Sequence, residues 1–328
     1  MQAFTPANDW EQRDGRVIRF RRPFSEKYTL TITTDILAGN FPIQTKAQIR
    51  WALRVINVNN LGEAEIELIT IENQLLEANN PNLKDIALLS QAFARMYSEI
   101  HVKLDRKGKI LEILNMPLIL GKWNQTKAEM QKIENEVPAI ADIVKLNDDI
   151  FASPDKVKLA IEHNEFFNVY FHLIYGEELP TDELKRMHRN LFNSVDVNWQ
   201  YTVKAALSRA DEDLIANVTV SGTPSDNLDG AWMKEAYGNF DLDLHQLDPR
   251  LSETSQYSFQ MESGKLLSAG LVKEETAHPD YIRGKMTYEL KCDDTVKNGD
   301  LDKNNNELNK PVELKPAEPP RKLFWERN

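Results

Sequence analysis

Apolar and polar positions alternate along the first third of the chain, the pattern of strands that bury one face and wet the other. In KYTLTITTDIL, Leu30 and Ile32 alternate with Thr29, Thr31 and Thr33. QIRWALRVINV places Ile49, Trp51 and Leu53 on one side, and EAEIELITIE sets Ala64, Ile66 and Leu68 against Glu63, Glu65 and Glu67. The polar NNLGE between the last two predicts a hairpin. The period then changes, and Leu83, Ile86, Leu89, Phe93 and Met96 fall at helical spacing behind Pro81. Alternation returns at Ile100, Val102 and Leu104 and turns around Gly108, a second hairpin.

The middle of the chain has the helical period. Pro117 opens a helix carrying Trp123, Met130, Ile133 and Val137. Ser153 and Pro154 form a cap-then-proline start for DKVKLAIEHNEFFNVYFHLIYG, with Gly176 as its stop. Its Phe166, Phe167, Tyr170, Phe171 and Ile174 make it apolar round more than half its circumference, the mark of a helix buried on two sides. Thr181 caps a third expected helix, TDELKRMHRNLF. Strands resume at Val195 and close with YIRGKMTYELKC near Cys292.

Within the two β-rich parts there is a weak internal echo. Trp51 and Trp199 each begin a strand, an acidic turn and a second strand, and each unit ends later in a Gly-Lys hairpin, at Gly108 and Gly264. The predicted class is α+β, mainly antiparallel sheet in two similar curved β units, with a helical middle and a disordered tail. The expected divisions are an arm at 1–15, a first β unit at 16–116, helices at 117–193, a second β unit at 194–292 and a tail at 293–328. That tail holds eight acidic and seven basic residues, many Asn, and four prolines, too little apolar surface to offset the entropy of ordering it.

Composition narrows the class. The 328 residues are 41% apolar and 28% charged, the balance of a globular protein, and the net charge of -11 argues against a nucleic-acid surface. RVIRFRR is the local basic exception and reads as a solvated strand edge. A single cysteine, Cys292, excludes an intramolecular disulfide and a cysteine metal cluster. No window approaches the roughly 18 apolar residues of a membrane span. The N-terminal segment has neither an apolar core nor a cleavage pattern, which points to the cytoplasm, or to the periplasm or outside if a leader has been removed.

Candidate chemistry is thin. No phosphate loop, nucleophile elbow, dinucleotide fingerprint or HExxH is present. In FDLDLHQLD, read as a strand, Asp241, Asp243 and His245 share one face and make a weak metal set; a polar outer face accounts for them equally. DLDKNNNEL begins like a calcium loop, but Asn305 replaces its glycine and Pro311 its final glutamate. Glu63, Glu65 and Glu67 read as a solvated strand face. No cofactor is expected, and the chain is read as non-catalytic.

Two functions remain. The first is an interaction or structural subunit of a larger assembly, docking a protein partner or a second copy through its terminal arms. Its anchors are Phe4 and Trp10 on one arm and Leu323, Phe324 and Trp325 on the other. The alternative is a carrier or sensor of an apolar ligand, held in a cavity among Phe166, Phe167, Tyr170 and Phe171 between a curved sheet and the Phe-rich helix.

Overall fold

One antiparallel sheet takes in all eleven strands of the described chain. The structure, a computed structural model, describes residues 17–131, 139–210, 213–240 and 243–293. The arm anchors Phe4, Trp10, Leu323, Phe324 and Trp325, and the expected disordered tail beyond residue 293, therefore lie outside the described residues, as does Asp241.

The first run of strands is β1 (Phe24–Ala38), β2 (Phe41–Val58), β3 (Ala64–Ala78), β4 (Glu99–Leu104) and β5 (Ile110–Ile113), with helix α1 (Pro81–Ala94) between β3 and β4. Helices α2 (Met116–Gln131), α3 (Ala139–Phe151), α4 (Pro154–Glu162) and α5 (Glu165–Tyr170) follow. The second run is β6 (Thr181–Arg189), β7 (Asp196–Ala210), β8 (Asp213–Pro224), β9 (Arg250–Gln260), β10 (Lys265–His278) and β11 (Ile282–Cys292), with α6 (Gly230–Tyr237) after β8. Across the sheet the order is β5-β4-β3-β2-β1-β11-β10-β9-β8-β7-β6. The seam between the runs is the long β1–β11 pairing, from Tyr28 opposite Cys292 to Ala38 opposite Ile282.

Both runs cross the sheet in the same sense, so β1 to β5 and β6 to β10 correspond strand for strand. Trp51 lies on the second strand of the first run and Trp199 on the second strand of the second. Gly108 and Gly264 each follow the fourth strand of their run. The two β units thus share one sheet.

The side chains that alternate inward form the core. Tyr28 and Leu30, then Trp51, Leu53 and Val55, then Ile66 and Leu68, are all essentially inaccessible. Helix α5 supplies the filling. The Phe166 ring lies 5.6 Å from Tyr28, 5.4 Å from Trp51 and 5.3 Å from Tyr170, at angles that set ring edges against ring faces in two of the three pairs. Polar ends are satisfied across elements: the Leu266 amide donates to the Tyr170 hydroxyl at 3.0 Å, and the Tyr28 hydroxyl donates to the Leu266 carbonyl at 3.0 Å. Both glycine turns press on this cluster. Gly108 has φ +78° and a Cβ there would stand 2.6 Å from the Phe171 ring, while a Cβ on Gly264, at φ +75°, would stand 1.8 Å from the Arg19 carbonyl oxygen. Only glycine fits at either place.

Four expectations change. Residues 181–189 form strand β6, not a helix: Leu184 is buried, Met187 is 68% exposed, and pairing with β7 overrides strong local helix formers. The Phe-rich helix is two helices, because the Asn164 side chain accepts from the Phe166 amide at 2.9 Å and starts a new one. Residues 244–246 are a 3-10 turn in place of the expected strand, with the Asp243 side chain accepting from the His245 amide. The basic RVIRFRR segment is only partly a solvated edge, since Ile18 and Phe20 sink into the core at 2% and 1% exposure. Helices α3 and α6 had no counterpart in the sequence reading.

Candidate binding groove

The strongest polar constellation stands on the inward face of the second run, where the register is otherwise apolar. Along β9 the inward positions are Leu251, Glu253, Ser255, Tyr257 and Phe259, and all five are buried. A carboxylate in that series must be paired, because an isolated buried charge costs several kcal/mol or more. The Tyr201 hydroxyl, from β7, donates to Glu253 Oε2 at 2.6 Å. Lys273 Nζ, from β10, lies 3.2 Å from Oε1, and His188 Nε2, from β6, lies 3.4 Å from Oε2. Burial works to raise the Glu253 pKa, but contacts with His188, the Lys273 ammonium and the Tyr201 hydroxyl outweigh it and hold the pKa at about 2. The Tyr201 hydroxyl is pushed the other way by burial and by the Glu253 carboxylate. His188 is held flat by stacking on Trp199, centroid to centroid 5.3 Å at 8°.

Beside this network opens a groove of about 820 Å³. One wall is the run Arg186, Met187, His188 and Arg189 of β6, the last strand of the sheet. The facing wall is α5 and the segment after it, with Val169, Phe171, His172 and Leu173, and the floor is Leu271, Lys273 and Tyr288. Its charged lining is basic: Lys107, Lys109, Arg186, Arg189 and Lys273 against Glu165 and Glu177, in a chain whose net charge is -11. Each of these cations has a carboxylate partner: Arg186 at 2.8 Å and Lys107 at 3.4 Å share Glu177, Lys109 lies 3.3 Å from Glu162, Arg189 3.3 Å from Asp196 and Lys273 3.2 Å from Glu253. His172, partly buried, has its pKa drawn down to about 3 by desolvation and by the Lys273 ammonium, so it is neutral at pH 7.

Four groove residues, Arg189, Asn193, Lys273 and Tyr288, also line an inner recess of about 230 Å³ that reaches Trp199, Glu253 and Glu275. Glu275 is almost wholly buried and accepts from the Tyr237 hydroxyl at 2.6 Å, Asn190 Nδ2 at 2.8 Å and the Leu191 amide at 2.7 Å. Burial raises its pKa. These bonds fix the 190–195 loop, and with it the end of β6, onto β10. At the opposite edge of the sheet β5 is only four residues long, and Glu162 takes the Ile110 amide at 2.9 Å.

The residues expected from sequence fall unevenly on this map. Phe166, Phe167 and Tyr170 fill space at 0%, 3% and 0% exposure, so the core around them is packed where a ligand cavity was expected; Phe171 of the four borders the groove. Asp243 and His245 are neighbours in a surface turn, and among the described residues no cluster of three or more His, Cys, Asp or Glu could hold a metal ion. The reading by sequence missed Glu253, Lys273 and Glu275. Their signal was a charge on the apolar side of an alternating strand: Glu253 between Leu251 and Tyr257, and Glu275 between Leu271 and Ala277.

No family model matches the chain, and no curated protein matches it. The solved structures it resembles include one described as lipid-protein interactions in lipovitellin, at 8% identity and a TM-score of 0.41. That match covers 84% of this chain and 25% of the other, so the chain spans a quarter of lipovitellin's length there. A likeness so distant carries no functional weight. Among the described residues no helix is long and apolar enough to cross a membrane.

Proposed function

We propose that the chain is a non-catalytic binding subunit working through protein contacts within a larger assembly, and that the groove beside β6 receives an acidic segment of a partner in extended form. The observation that carries this reading is the wall of four consecutive residues, Arg186 to Arg189, from a sheet-edge strand bordering the groove. An edge strand offers unpaired backbone groups to an added strand, and side chains on either side supply selectivity. Acidic side chains of a partner would exchange with Glu177 and Asp196 as partners of Arg186 and Arg189.

A photo-crosslinkable residue at the exposed Met187 position tests this in cells. The expected adduct joins Met187's position to an acidic stretch of a partner protein and disappears in the Arg186→Glu/Arg189→Glu variant, provided that variant melts as a folded protein. An adduct indifferent to charge reversal would overturn the assignment. The terminal anchor Leu323, Phe324 and Trp325 is a second proposed contact, tested by comparing the partners of the full chain and of a chain ending at residue 293.

The carrier reading keeps one specific support: Val169, Phe171, Leu173 and Leu271, themselves buried, back the same groove. Mass spectrometry of an organic extract of the natively purified chain decides it. A stoichiometric apolar compound would favour the carrier, and its absence the subunit.

A further inference from the structure

The correspondence between the two runs extends past their strands. Each run sets a helix and then a 3-10 turn between its third and fourth strands, α1 with residues 95–97 in the first and α6 with residues 244–246 in the second. In this correspondence β6 is the counterpart of β1. The two strands differ in one respect. β1 is paired on both sides, by β2 and by β11, whereas β6 pairs with β7 alone among the described strands. Resting on the groove as a receptor for acidic extended segments, we propose that the bound segment runs antiparallel to β6 and takes, beside Arg186 to Arg189, the place that β11 takes beside β1.

The two strands also agree residue by residue. Trp51 stands opposite Tyr28 and its counterpart Trp199 stands opposite Arg186, so Tyr28 and Arg186 are equivalent positions. β11 covers β1 from Tyr28 to Ala38, where β1 turns into β2. The equivalent stretch of β6 runs from Arg186 to the 190–195 turn, and it is the stretch that walls the groove. The backbone groups match as well, because in an antiparallel ladder successive residues face opposite neighbours. The Asp293 amide donates to the Lys27 carbonyl at 2.7 Å, so Lys27, Thr29 and Thr31 turn toward β11. The Asn190 amide donates to the Val195 carbonyl at 2.9 Å, so His188 and Arg186 turn toward β7, and Lys185, Met187 and Arg189 turn outward. Lys185, Met187 and Arg189 are the counterparts of Lys27, Thr29 and Thr31. Two of the outward carbonyls meet the strand's own side chains: Arg186 Nη1 donates to the Lys185 carbonyl at 2.9 Å, and His188 Nδ1 lies 3.0 Å from the Arg189 carbonyl. The amides of an added strand replace these local contacts without breaking a bond between β6 and β7. Parallel entry would meet the same groups with slanted, weaker bonds.

The test uses the full chain and a decapeptide alternating Glu and Phe. One version carries benzophenone at its N-terminus and another at its C-terminus, and the adducts formed on illumination are mapped by mass spectrometry. Antiparallel entry predicts that the N-terminal probe marks residues 190–195 and the C-terminal probe residues 181–185. N-methylation of one alternate set of peptide amides is expected to weaken binding about tenfold or more by fluorescence anisotropy, and methylation of the other set to leave it nearly unchanged. Reversed adducts, or adducts at both ends of β6 from each probe, overturn the antiparallel assignment and leave the groove standing as a receptor. Equal sensitivity to the two methylated sets also overturns it, because no strand is then added to the edge. Absence of binding, or adducts confined to other parts of the chain, overturns both readings.

Discussion

Replacing Gly108 with alanine is the sharpest probe of how the first hairpin is pinned to α5. Two separate costs are expected. At φ +78° an L side chain is in the left-handed region, which costs about 1–2 kcal/mol. The added Cβ would lie 2.6 Å from Phe171 Cδ1 and 2.9 Å from its Cγ. A free ring would turn aside. This one is wedged, with centroids 4.9 Å from Tyr170, 4.8 Å from Tyr175, 5.4 Å from Phe167 and 5.8 Å from Phe20. Overpacking such a core costs about 1–3 kcal/mol, so the whole change amounts to about 2–5 kcal/mol. Urea unfolding with a constant m-value measures it. Phe171→Leu in the same background makes room for the Cβ and is expected to recover the steric part and leave the conformational part, a coupling that a double-mutant cycle isolates. A loss below about 1 kcal/mol for Gly108→Ala, or strict additivity with Phe171→Leu, would refute the reasoning.

Three further outcomes follow from the buried polar groups. Tyr170→Phe leaves the Leu266 amide without its acceptor in the core, so it is expected to cost about 1–3 kcal/mol by chemical denaturation, with slower-exchanging neighbours turning fast. For His172, a base, the folded pKa of about 3 lies below the ordinary 6.5, so protons favour the unfolded chain. Its contribution is whole above pH 6.5 and declines as pH falls toward 3; at pH 5 the loss is about 2 kcal/mol, read as the difference between wild type and His172→Gln from pH 7 to pH 5. Glu253→Gln removes the charge that pairs Lys273 and His188, and a drop of about 2–3 kcal/mol is expected, partly restored by Lys273→Met in the double variant; no drop would mean that the network does not hold the groove floor.

The elements with a clean period of two were legible residue by residue. Leu30, Trp51, Leu53, Ile66 and Leu68 were read as one face, and that face is the core. Both turn glycines were legible as hairpins, but not that each turn packs against the aromatic cluster, because that contact joins positions far apart in sequence. The failure at 181–189 has the same cause. Glu, Leu, Lys, Arg and Met favour helix locally, whereas β7 supplies a pairing partner that no local pattern announces. The groove was illegible for a stronger reason: its walls come from β6 and α5 and its floor from β10 and β11, brought together only by the order of strands in the sheet. What the chain did display was Glu253 and Glu275 on an apolar register, a local inconsistency of the kind found at functional or tightly networked positions.

Amide hydrogen exchange on β6 tests the central claim most directly. The full chain is compared with and without a decapeptide alternating Glu and Phe. Addition of a strand to the edge predicts slower exchange at every second amide between residues 184 and 189, lost again in 300 mM salt or with Arg186→Glu/Arg189→Glu. Protection that falls elsewhere on the sheet, or a β6 unchanged by the peptide, would contradict the assignment of the groove as a receptor for acidic extended segments.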